Sequence, residues 1–209
     1  MSFKLPRVYP ITDTSLSPLS HAEQVKLLIE GGAKFIQLRE KKAPARAFYT
    51  AAREALAVAG EKNVRIVIND RADVAFALQA EGLHLGQDDL PPRAARKLLG
   101  RNVIIGFSTH NTEQAVAALK MPIDYIAIGP VFPTGTKENP DPVVGLEGVR
   151  RVREAIGDFP LVAIGGITLE NAPEVFAAGA DSIALIGALT AGISDAREIT
   201  ERMKRFAAL

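Results

Sequence analysis

Two aspartates follow short apolar runs and could bind a hard cation. Asp70 directly follows the run 65–69, and Asp89 comes a few residues after the run 83–85. Carboxylate oxygens are the ligands that Mg²⁺ prefers in proteins, and the ion keeps coordination positions that a phosphate can share. Each aspartate taken alone could equally cap a following helix. The occurrence of both after successive apolar runs favours a metal site.

Three basic residues follow apolar runs in the same manner. Arg39 and Lys41 come after the run 35–38, and Lys137 ends the polar stretch 129–137. A planar guanidinium fork combined with ammonium groups is suited to binding a diphosphate. The alternative for the basic residues is solvated surface charge, and for 134–137 it is a flexible polar loop.

Small residues follow the last two apolar runs. Gly165 and Gly166 follow the run 161–164, and Gly187 follows Ile186. Backbone N–H groups at such positions can close on a phosphate without a cationic side chain. A tight turn that only requires glycine is the alternative for each position alone. The two positions together favour a phosphate site.

The composition excludes several classes of protein. No cysteine is available for a disulfide framework or a thiolate metal site. The formal charge is +1, the basic residues are scattered and only 6% of residues are aromatic, so we expect no nucleic-acid partner. The longest uncharged stretch, 182–194, is far shorter than the roughly 20 residues of a membrane-spanning helix. The first residues lack the order of a secretory signal, and we therefore expect a cytoplasmic protein.

The three histidines carry little evidence of chemistry. His21 lies in a predicted helix and is interpreted as a surface residue. His84 lies within an apolar run and is interpreted as a hydrogen-bonded core imidazole. His110 lies where a helix is expected to begin. No triad spacing links any of them to a nucleophile.

These residues are positioned by a repeated pattern, in which a helical stretch ends near glycine and leads into a short apolar run. The buried runs predict eight strands, at 8–12, 35–39, 65–69, 83–85, 103–107, 125–128, 161–164 and 183–186. The intervening spacing predicts helices at 19–29, 45–59, 72–79, 91–99, 112–119, 146–156, 169–177 and 195–206. Asn111, Thr168 and Ser194 stand where the N-caps of three of these helices are expected.

Alternating strands and helices with short links predict a parallel sheet. Eight units fit a closed α/β structure, a single (β/α)8 TIM barrel over residues 1–209, and an open doubly wound sheet is the alternative. In such a barrel the strand ends at one face carry the chemistry. Phe107 is a bulky residue beside this face and is expected to point away from it.

Six motifs taken together resemble the thiamine phosphate synthase family. They are QLREK (37–41), INDR (68–71), HLGQDDL (84–90), STH (108–110), GPVFPTGTK (129–137) and AIGGI (163–167), in the order typical of the family. The resemblance extends from YPITD (9–13) to Ile186 and so covers nearly the whole chain. It implies the joining of hydroxymethylpyrimidine diphosphate to thiazole phosphate, or its carboxylated form, with release of pyrophosphate and formation of thiamine phosphate.

The resemblance also implies a role for each matching residue. It assigns Asp70 and Asp89 to Mg²⁺. It assigns the pyrimidine diphosphate to Gln37, Leu38, Arg39, Glu40, Lys41, Asn69, Ser108 and Lys137, of which Arg39, Lys41, Ser108 and Lys137 are the catalytic set. It assigns the thiazole phosphate to Thr134, Gly135, Thr136, Gly165, Ile186 and Gly187.

The reaction implied is a dissociative substitution in which metal and basic residues neutralise the departing pyrophosphate. The partners expected are therefore small phosphorylated molecules, and a small barrel is compatible with a homodimer. Two rival functions stay open. A thiazole tautomerase of the same barrel type would keep the phosphate site without needing the acidic pair. A non-catalytic, phosphate-binding regulatory barrel would need no arrangement of charges for a leaving group.

Overall fold

The chain forms a closed parallel barrel of eight strands surrounded by helices, in a computed structural model that describes residues 4–135 and 141–209. The strands are β1 Val8–Asp13, β2 Phe35–Arg39, β3 Arg65–Asn69, β4 Gly82–Leu85, β5 Ile104–Thr109, β6 Tyr125–Ile128, β7 Leu161–Ile164 and β8 Ser182–Leu185. The helices are α1 His21–Glu30, α2 Ala45–Gly60, α3 Ala72–Leu78, α4 Pro92–Leu99, α5 Thr112–Ala118, α6 Gly145–Ile156, α7 Ala172–Ala177, α8 Gly187–Thr190 and α9 Arg197–Ala207.

Strand pairing confirms the predicted (β/α)8 TIM barrel. Each strand pairs in parallel with the next in sequence, and β1 also pairs with β8, which closes the sheet. The alternative of an open sheet is therefore wrong. All eight strands begin and end within two residues of their predicted limits. None of the helices in the described ranges has the length and apolar content needed to span a bilayer.

Successive strand residues point alternately into the barrel and out towards the helices, so two separate cores form. The outer core lies between strands and helices and includes Ile36, Leu38 and Phe107. The inner core fills the barrel and includes Tyr9, Phe35, Val67, Tyr125 and Val162. Phe107 thus points away from the mouth, as expected.

Two helices begin later than their candidate caps indicate. The helix predicted from Leu169 begins at Ala172, because Pro173 has no N–H to donate to the carbonyl of Leu169. Thr168 instead forms a turn with Asn171, whose Oδ1 accepts from the Thr168 N–H at 2.8 Å. The last helix begins at Arg197, and Ser194 donates to Glu198 in the turn before it. By contrast, Asn111 caps α5 as predicted.

The prediction of His21 as a surface residue is wrong. Its side chain is only 1% exposed at the start of α1, where its Nδ1 lies 2.7 Å from Thr12 Oγ1. Its Nε2 lies 3.8 Å from a carboxylate oxygen of Glu40. Burial lowers the pKa of His21 below its ordinary value of 6.5, although the charges of Glu40 and Asp13 act in the opposite direction.

This pKa shift predicts an acid-sensitive contribution to stability. The folded protein binds the His21 proton less well than the unfolded chain, so stability is present above pH 6.5 and is lost as pH falls below it towards the lowered pKa. In His21→Gln, the free energy of unfolding should fall less between about pH 7.5 and about pH 5.5 than in the wild type. Denaturant titrations at the two pH values measure this, and equal losses in both proteins would contradict it.

Gly106 gives a second stability prediction, because it makes room for a large side chain inside the barrel. It lies opposite Tyr125 in the sheet register, and a Cβ added to it would lie 2.0 Å from Tyr125 Cζ. Gly106→Ala should therefore lower the free energy of unfolding by about 1–3 kcal/mol or more. Gly60→Ala is the matched control, since an added Cβ there meets no atom within 4 Å. The control should change stability by less than about 1 kcal/mol, and similar losses in both variants would contradict the packing argument.

Candidate functional site

A cavity of about 610 Å³ opens at the carboxyl ends of the strands, and all eight strands contribute lining residues. This is the end of a parallel barrel at which active sites are found. Its inner wall is apolar on β7 and β8, where Val162, Ile164 and Ala184 line it. Towards β2, β3 and β4 the lining is polar and charged. The cavity is therefore chemically asymmetric across its width.

The alternation of β2 decides which part of the motif 37–41 reaches this cavity. Gln37 and Arg39 point into it, and Lys41 lines it just after the strand ends. Leu38 points the other way and is fully buried in the outer core. Its backbone is thus the only part that remains near the mouth. The predicted contact of Leu38 with the substrate stays a prediction, and its backbone is the part that could make it.

Arg39 is held by a carboxylate beneath the mouth. Its guanidinium forms an ion pair with Asp13, and the two side chains are 15% and 4% exposed. The Asp13 carboxylate also accepts from the backbone N–H of Ser15 at 2.8 Å and from its hydroxyl. The ion pair therefore fixes the position of the Arg39 guanidinium, whose other N–H donors are left for the cavity.

The predicted acidic pair is brought together. Asp70 has a left-handed backbone with φ of 61°, and its N–H donates to the carbonyl of His84 at 2.8 Å. Lys41 donates to the Asp70 carboxylate, while the Asp89 carboxylate accepts from the N–H of Gly86 at 2.6 Å. Burial raises the pKa of Asp89, and contact with the Asp70 carboxylate raises it further, although the Gly86 N–H and the Lys41 charge act in the opposite direction. Two acidic groups therefore share one small region of the mouth.

Neither aspartate is the helix cap that was considered as the alternative. The N-cap position of α3 is Arg71 and that of α4 is Pro91, and no side chain caps either helix. Within residues 4–135 and 141–209, no group of three or more histidine, cysteine or acidic side chains is arranged to hold a metal ion. A cation at Asp70 and Asp89 would thus take its other ligands from water or a substrate.

Asn69 brings an unused donor to the same part of the cavity. The residue is 6% exposed and lines the cavity, and its Nδ2 has no hydrogen-bond partner in the described part of the chain. A buried polar group without a partner costs on the order of 1–3 kcal/mol. An acceptor atom of a ligand would remove this cost.

The opposite side of the mouth is built from glycine and backbone. Gly165 and Gly166 have φ of 101° and 64°, and an added Cβ would lie 2.6 Å from Pro130 Cβ and from Pro133 O, respectively. Only glycine allows the segment 130–133 to pack this closely on the end of β7. Ile186 and Gly187 also line the cavity, at the start of α8. The first N–H groups of a helix have no partner within it, so they are available to an anion.

The described residues thus include most of the predicted site in one cavity. Those that line it are Gln37, Arg39, Lys41, Asn69, Asp70, Asp89, Ser108, Thr134, Gly165, Ile186 and Gly187. Gly135 does not line it, and the Glu40 carboxylate accepts from Thr14 Oγ1 at 2.7 Å and from the Lys42 N–H at 3.0 Å instead. The predictions for Thr136 and Lys137 fall outside the described residues.

Several polar residues that line the cavity were not predicted, among them Tyr9, Gln87, Gln114 and Asp141. His84 is a hydrogen-bonded core residue, as predicted, but it also lines the cavity, which was not predicted. His110 also lines the cavity, and its Nδ1 lies 2.7 Å from the carbonyl of Gly129. Counting inward and outward positions along each strand would have identified Tyr9 and His84 in advance.

Comparisons with known proteins agree in pointing to one family. A family model described as thiamine monophosphate synthase matches residues 8–189. The thiamine-phosphate synthase of Methanospirillum hungatei is 49% identical over 183 residues, which are 87% of this chain and 88% of the relative. That of Koribacter versatilis is 48% identical over 193 residues, which are 89% and 90% of the two chains.

A solved structure extends this likeness to the fold. The thiamine phosphate pyrophosphorylase from Pyrococcus furiosus superimposes with a TM-score of 0.83 at 39% identity. The match covers 97% of this chain and 95% of that one.

The Arg39–Asp13 pair gives a prediction about the site's framework. Asp13→Asn removes one charge of a mostly buried pair and leaves Arg39 uncompensated, so it should lower the free energy of unfolding by about 2–4 kcal/mol. Glu201→Gln is the matched control, because it makes the same change in an exposed pair with Lys204. That control should cost less than about 1 kcal/mol. Denaturant unfolding measures both, and an equally small loss in Asp13→Asn would show that Arg39 does not depend on Asp13.

Proposed function

The chain belongs to the thiamine monophosphate synthase family, and on that basis we propose that its cavity joins hydroxymethylpyrimidine diphosphate to thiazole phosphate. Membership makes the chain a transferase of thiamine biosynthesis. The proposed products are thiamine phosphate and pyrophosphate, and the carboxylated thiazole phosphate is included as a substrate.

One observation about the cavity carries the proposal most directly. The touching carboxylates of Asp70 and Asp89 lie beside Lys41 on one side, and the glycine-lined ends of β7 and β8 lie on the other. Such a cavity can take two phosphorylated molecules at once, one held by charged side chains and one by backbone. A reaction between two phosphorylated substrates requires two such binding regions in one cavity.

We propose Mg²⁺ as the cofactor, held by Asp70 and Asp89. The donor set fits the ion, since hard carboxylate oxygens are its preferred ligands and Mg²⁺ commonly uses only one or two of them together with a substrate phosphate. Burial and the neighbouring Asp70 carboxylate raise the pKa of Asp89 although Lys41 is close, and a divalent cation would offset the repulsion between the two acidic groups. When bound there, the ion would neutralise part of the charge on a departing diphosphate.

The proposed reaction begins with loss of the leaving group. The bond between the pyrimidine methylene carbon and the diphosphate oxygen breaks, and the electron pair leaves with the pyrophosphate. Arg39 and Lys41 neutralise the charge that develops on its oxygens, while Asn69 Nδ2 and the Ser108 hydroxyl donate hydrogen bonds to the substrate. Positive charge already placed around a leaving group is worth several kcal/mol (roughly 3–4 per strong donor) of barrier reduction.

The second half of the reaction depends on positioning. The electron-rich aminopyrimidine carries the methylene cation until the thiazole nitrogen attacks that carbon. The hydroxyl of Thr134 and the backbone at Gly165 and Gly187 hold the thiazole phosphate so that the nitrogen faces the carbon. Fixing two reactants in this manner removes much of the entropic barrier to their reaction. The apolar side chains of β7 and β8 on the inner wall of the cavity offer no hydrogen bonds to water and so reduce the competition of water for the cation.

The two rival functions are less well supported. A tautomerase would have no use for the acidic pair, and a regulatory barrel would have no use for cations beside a potential leaving group. The relatives named above are synthases. The cytoplasmic location, the homodimer and the lack of a nucleic-acid partner stay predictions; the near balance of charge supports the last of them.

An assay that follows both products directly tests the proposed function. The purified protein is mixed with hydroxymethylpyrimidine diphosphate, thiazole phosphate and Mg²⁺, and pyrophosphate and thiamine phosphate are followed by chromatography. Equal amounts of both products are expected, and EDTA should abolish them. A folded protein that forms neither product from verified substrates would contradict the proposal. Product formation that EDTA leaves unchanged would contradict the metal requirement alone.

Asp70→Asn tests the metal site by removing one charge at the position. Asparagine also tolerates the left-handed backbone of residue 70, so the fold should be kept. We expect kcat at limiting Mg²⁺ to fall by about 100-fold or more, with partial recovery at high Mg²⁺. Asp73→Asn is the control, since the Asp73 carboxylate lies in the first turn of α3, is 63% exposed and pairs with Arg71. Equal activity in Asp70→Asn and the wild type at limiting Mg²⁺ would remove Asp70 from the site.

A further inference from the structure

A chain of hydrogen bonds crosses the barrel below the cavity. Gln37 Nε2 donates to Tyr9 Oη at 2.8 Å, and Tyr9 Oη lies 2.9 Å from Tyr125 Oη. Tyr125 Oη lies 3.0 Å from His84 Nδ1, and His84 Nε2 lies 2.9 Å from Ser108 Oγ. The chain thus joins β2 to β5 through the middle of the barrel. Its ends, Gln37 and Ser108, are the two members that are also proposed to contact the pyrimidine substrate.

Packing holds the middle of this chain in place. The Tyr125 ring lies edge-on to Tyr9, with centroids 5.9 Å apart, and is stacked on His84 at 5.6 Å. Phe35 contacts both tyrosine rings. Gly106 leaves the space that the phenol fills. The position of the Tyr125 hydroxyl is therefore restricted by the rings packed around it.

The chain has a direction, because each member has a limited number of protons. Burial raises the pKa of Tyr9 and of Tyr125 well above the ordinary value, so each phenol keeps its one proton. Tyr9 accepts a hydrogen bond from Gln37, and the Tyr9 hydroxyl in turn donates one to the Tyr125 oxygen. The Tyr125 hydroxyl donates a hydrogen bond to His84 Nδ1, so Nδ1 is the acceptor nitrogen of the ring. The ring proton of His84 is then on Nε2, which donates to Ser108 Oγ.

This direction determines what the ends offer to a ligand. Ser108 accepts from His84, so its hydroxyl proton is free to donate into the cavity. Gln37 lines the cavity and uses one N–H on Tyr9, so its Oε1 and second N–H remain for other partners. A carboxamide of this kind matches the amino group and neighbouring ring nitrogen of an aminopyrimidine. Reversing the chain would require Gln37 to rotate its amide and would leave Ser108 as an acceptor, which repels a phosphate oxygen.

We propose that Tyr125 is a positioning residue, whose phenol fixes the direction of this chain and thereby the donor and acceptor pattern that Gln37 and Ser108 present to the aminopyrimidine diphosphate. This inference rests on the proposed function and deepens it. Tyr125 itself does not line the cavity. It acts on substrate recognition through Tyr9 and His84.

Tyr125→Phe cuts the chain while keeping the ring. We expect the KM for the pyrimidine diphosphate to rise about tenfold, the effect of one misdirected hydrogen bond, and the KM for thiazole phosphate to change less than about twofold. Tyr49→Phe, on α2, is the control and should change neither constant. Equal increases in both KM values of Tyr125→Phe, or no increase in either, would overturn the inference. A wild type without turnover would contradict the proposed function instead.

The tautomer of His84 gives a readout that needs no activity. The protein has three histidines, so His21→Gln and His110→Gln assign the ring nitrogens of His84 in ¹⁵N spectra. We expect Nε2 to carry the proton and Nδ1 to show the shift of a hydrogen-bonded acceptor, which moves towards that of a free acceptor in Tyr125→Phe. A proton on Nδ1 in the wild type would overturn the proposed direction.

A double-mutant cycle covers the case in which Tyr125→Phe loses its fold. The variant Tyr9→Phe then cuts the neighbouring link and should give the same unequal change in the two KM values. In a Ser108→Ala background, either tyrosine substitution should have a smaller effect than in the wild type, since one end of the chain is already removed. Equal effects in both backgrounds would show that the tyrosines and Ser108 act independently, which would overturn the inference.

Discussion

A polar group that a strand directs into the barrel is costly when it has no hydrogen-bond partner, because the interior has a low dielectric constant. The partner can be another buried side chain or, at the cavity, a bound ligand. The inner face of this barrel carries Tyr9, Gln37, His84 and Tyr125 beneath the cavity, and all four are buried. They satisfy one another in a single chain across the sheet. Asn69 keeps one donor without a partner within the described residues, and it does so at the cavity wall. The hydroxyl of Ser182, at the start of β8, is another buried group without a partner within the described residues, and it does not line the cavity. The four-residue group beneath the cavity is thus satisfied up to the level at which a substrate binds, although the whole interior is not.

The same requirement governs the charged groups at the mouth. Arg39 is paired with Asp13, and Lys41 is paired with Asp70. The two pairs differ in burial, since Lys41 is 48% exposed and Arg39 only 15%. The exposed pair is weak and can open to a diphosphate at little cost, whereas the buried pair keeps its geometry. In the proposed reaction one cation would therefore be fixed, and the other would follow the leaving group.

How far the sequence alone could predict this protein differs between fold and site. The strands were predicted within two residues, because short buried runs between glycines are typical of parallel strands. Helix α8 was missed, since four residues of small and apolar type carry no periodic signal. The polar strand ends were identified by type, but the contiguous motif 37–41 also included Leu38 and Glu40, whose side chains turn away. Inward residues below the mouth, such as Tyr9, could have been found by counting alternate strand positions, but their hydrogen-bond partners on other strands appear only when the barrel closes.

The two sides of the cavity are built by different means, and this affects how each can change. The side at β7 is formed by backbone packed so closely that Gly165 and Gly166 admit no side chain. The positions of backbone N–H groups on this side depend on the path of the backbone. A side-chain substitution can obstruct them but cannot adjust their positions. The side at β2 and β3 is formed by long side chains, whose placement depends on residues behind them, such as Asp13 for Arg39 and Tyr9 for Gln37. In the proposed function, recognition of the thiazole phosphate would thus rest on the fold itself. Recognition of the aminopyrimidine diphosphate would rest on a second layer of side chains, where single substitutions would alter specificity without disturbing the barrel.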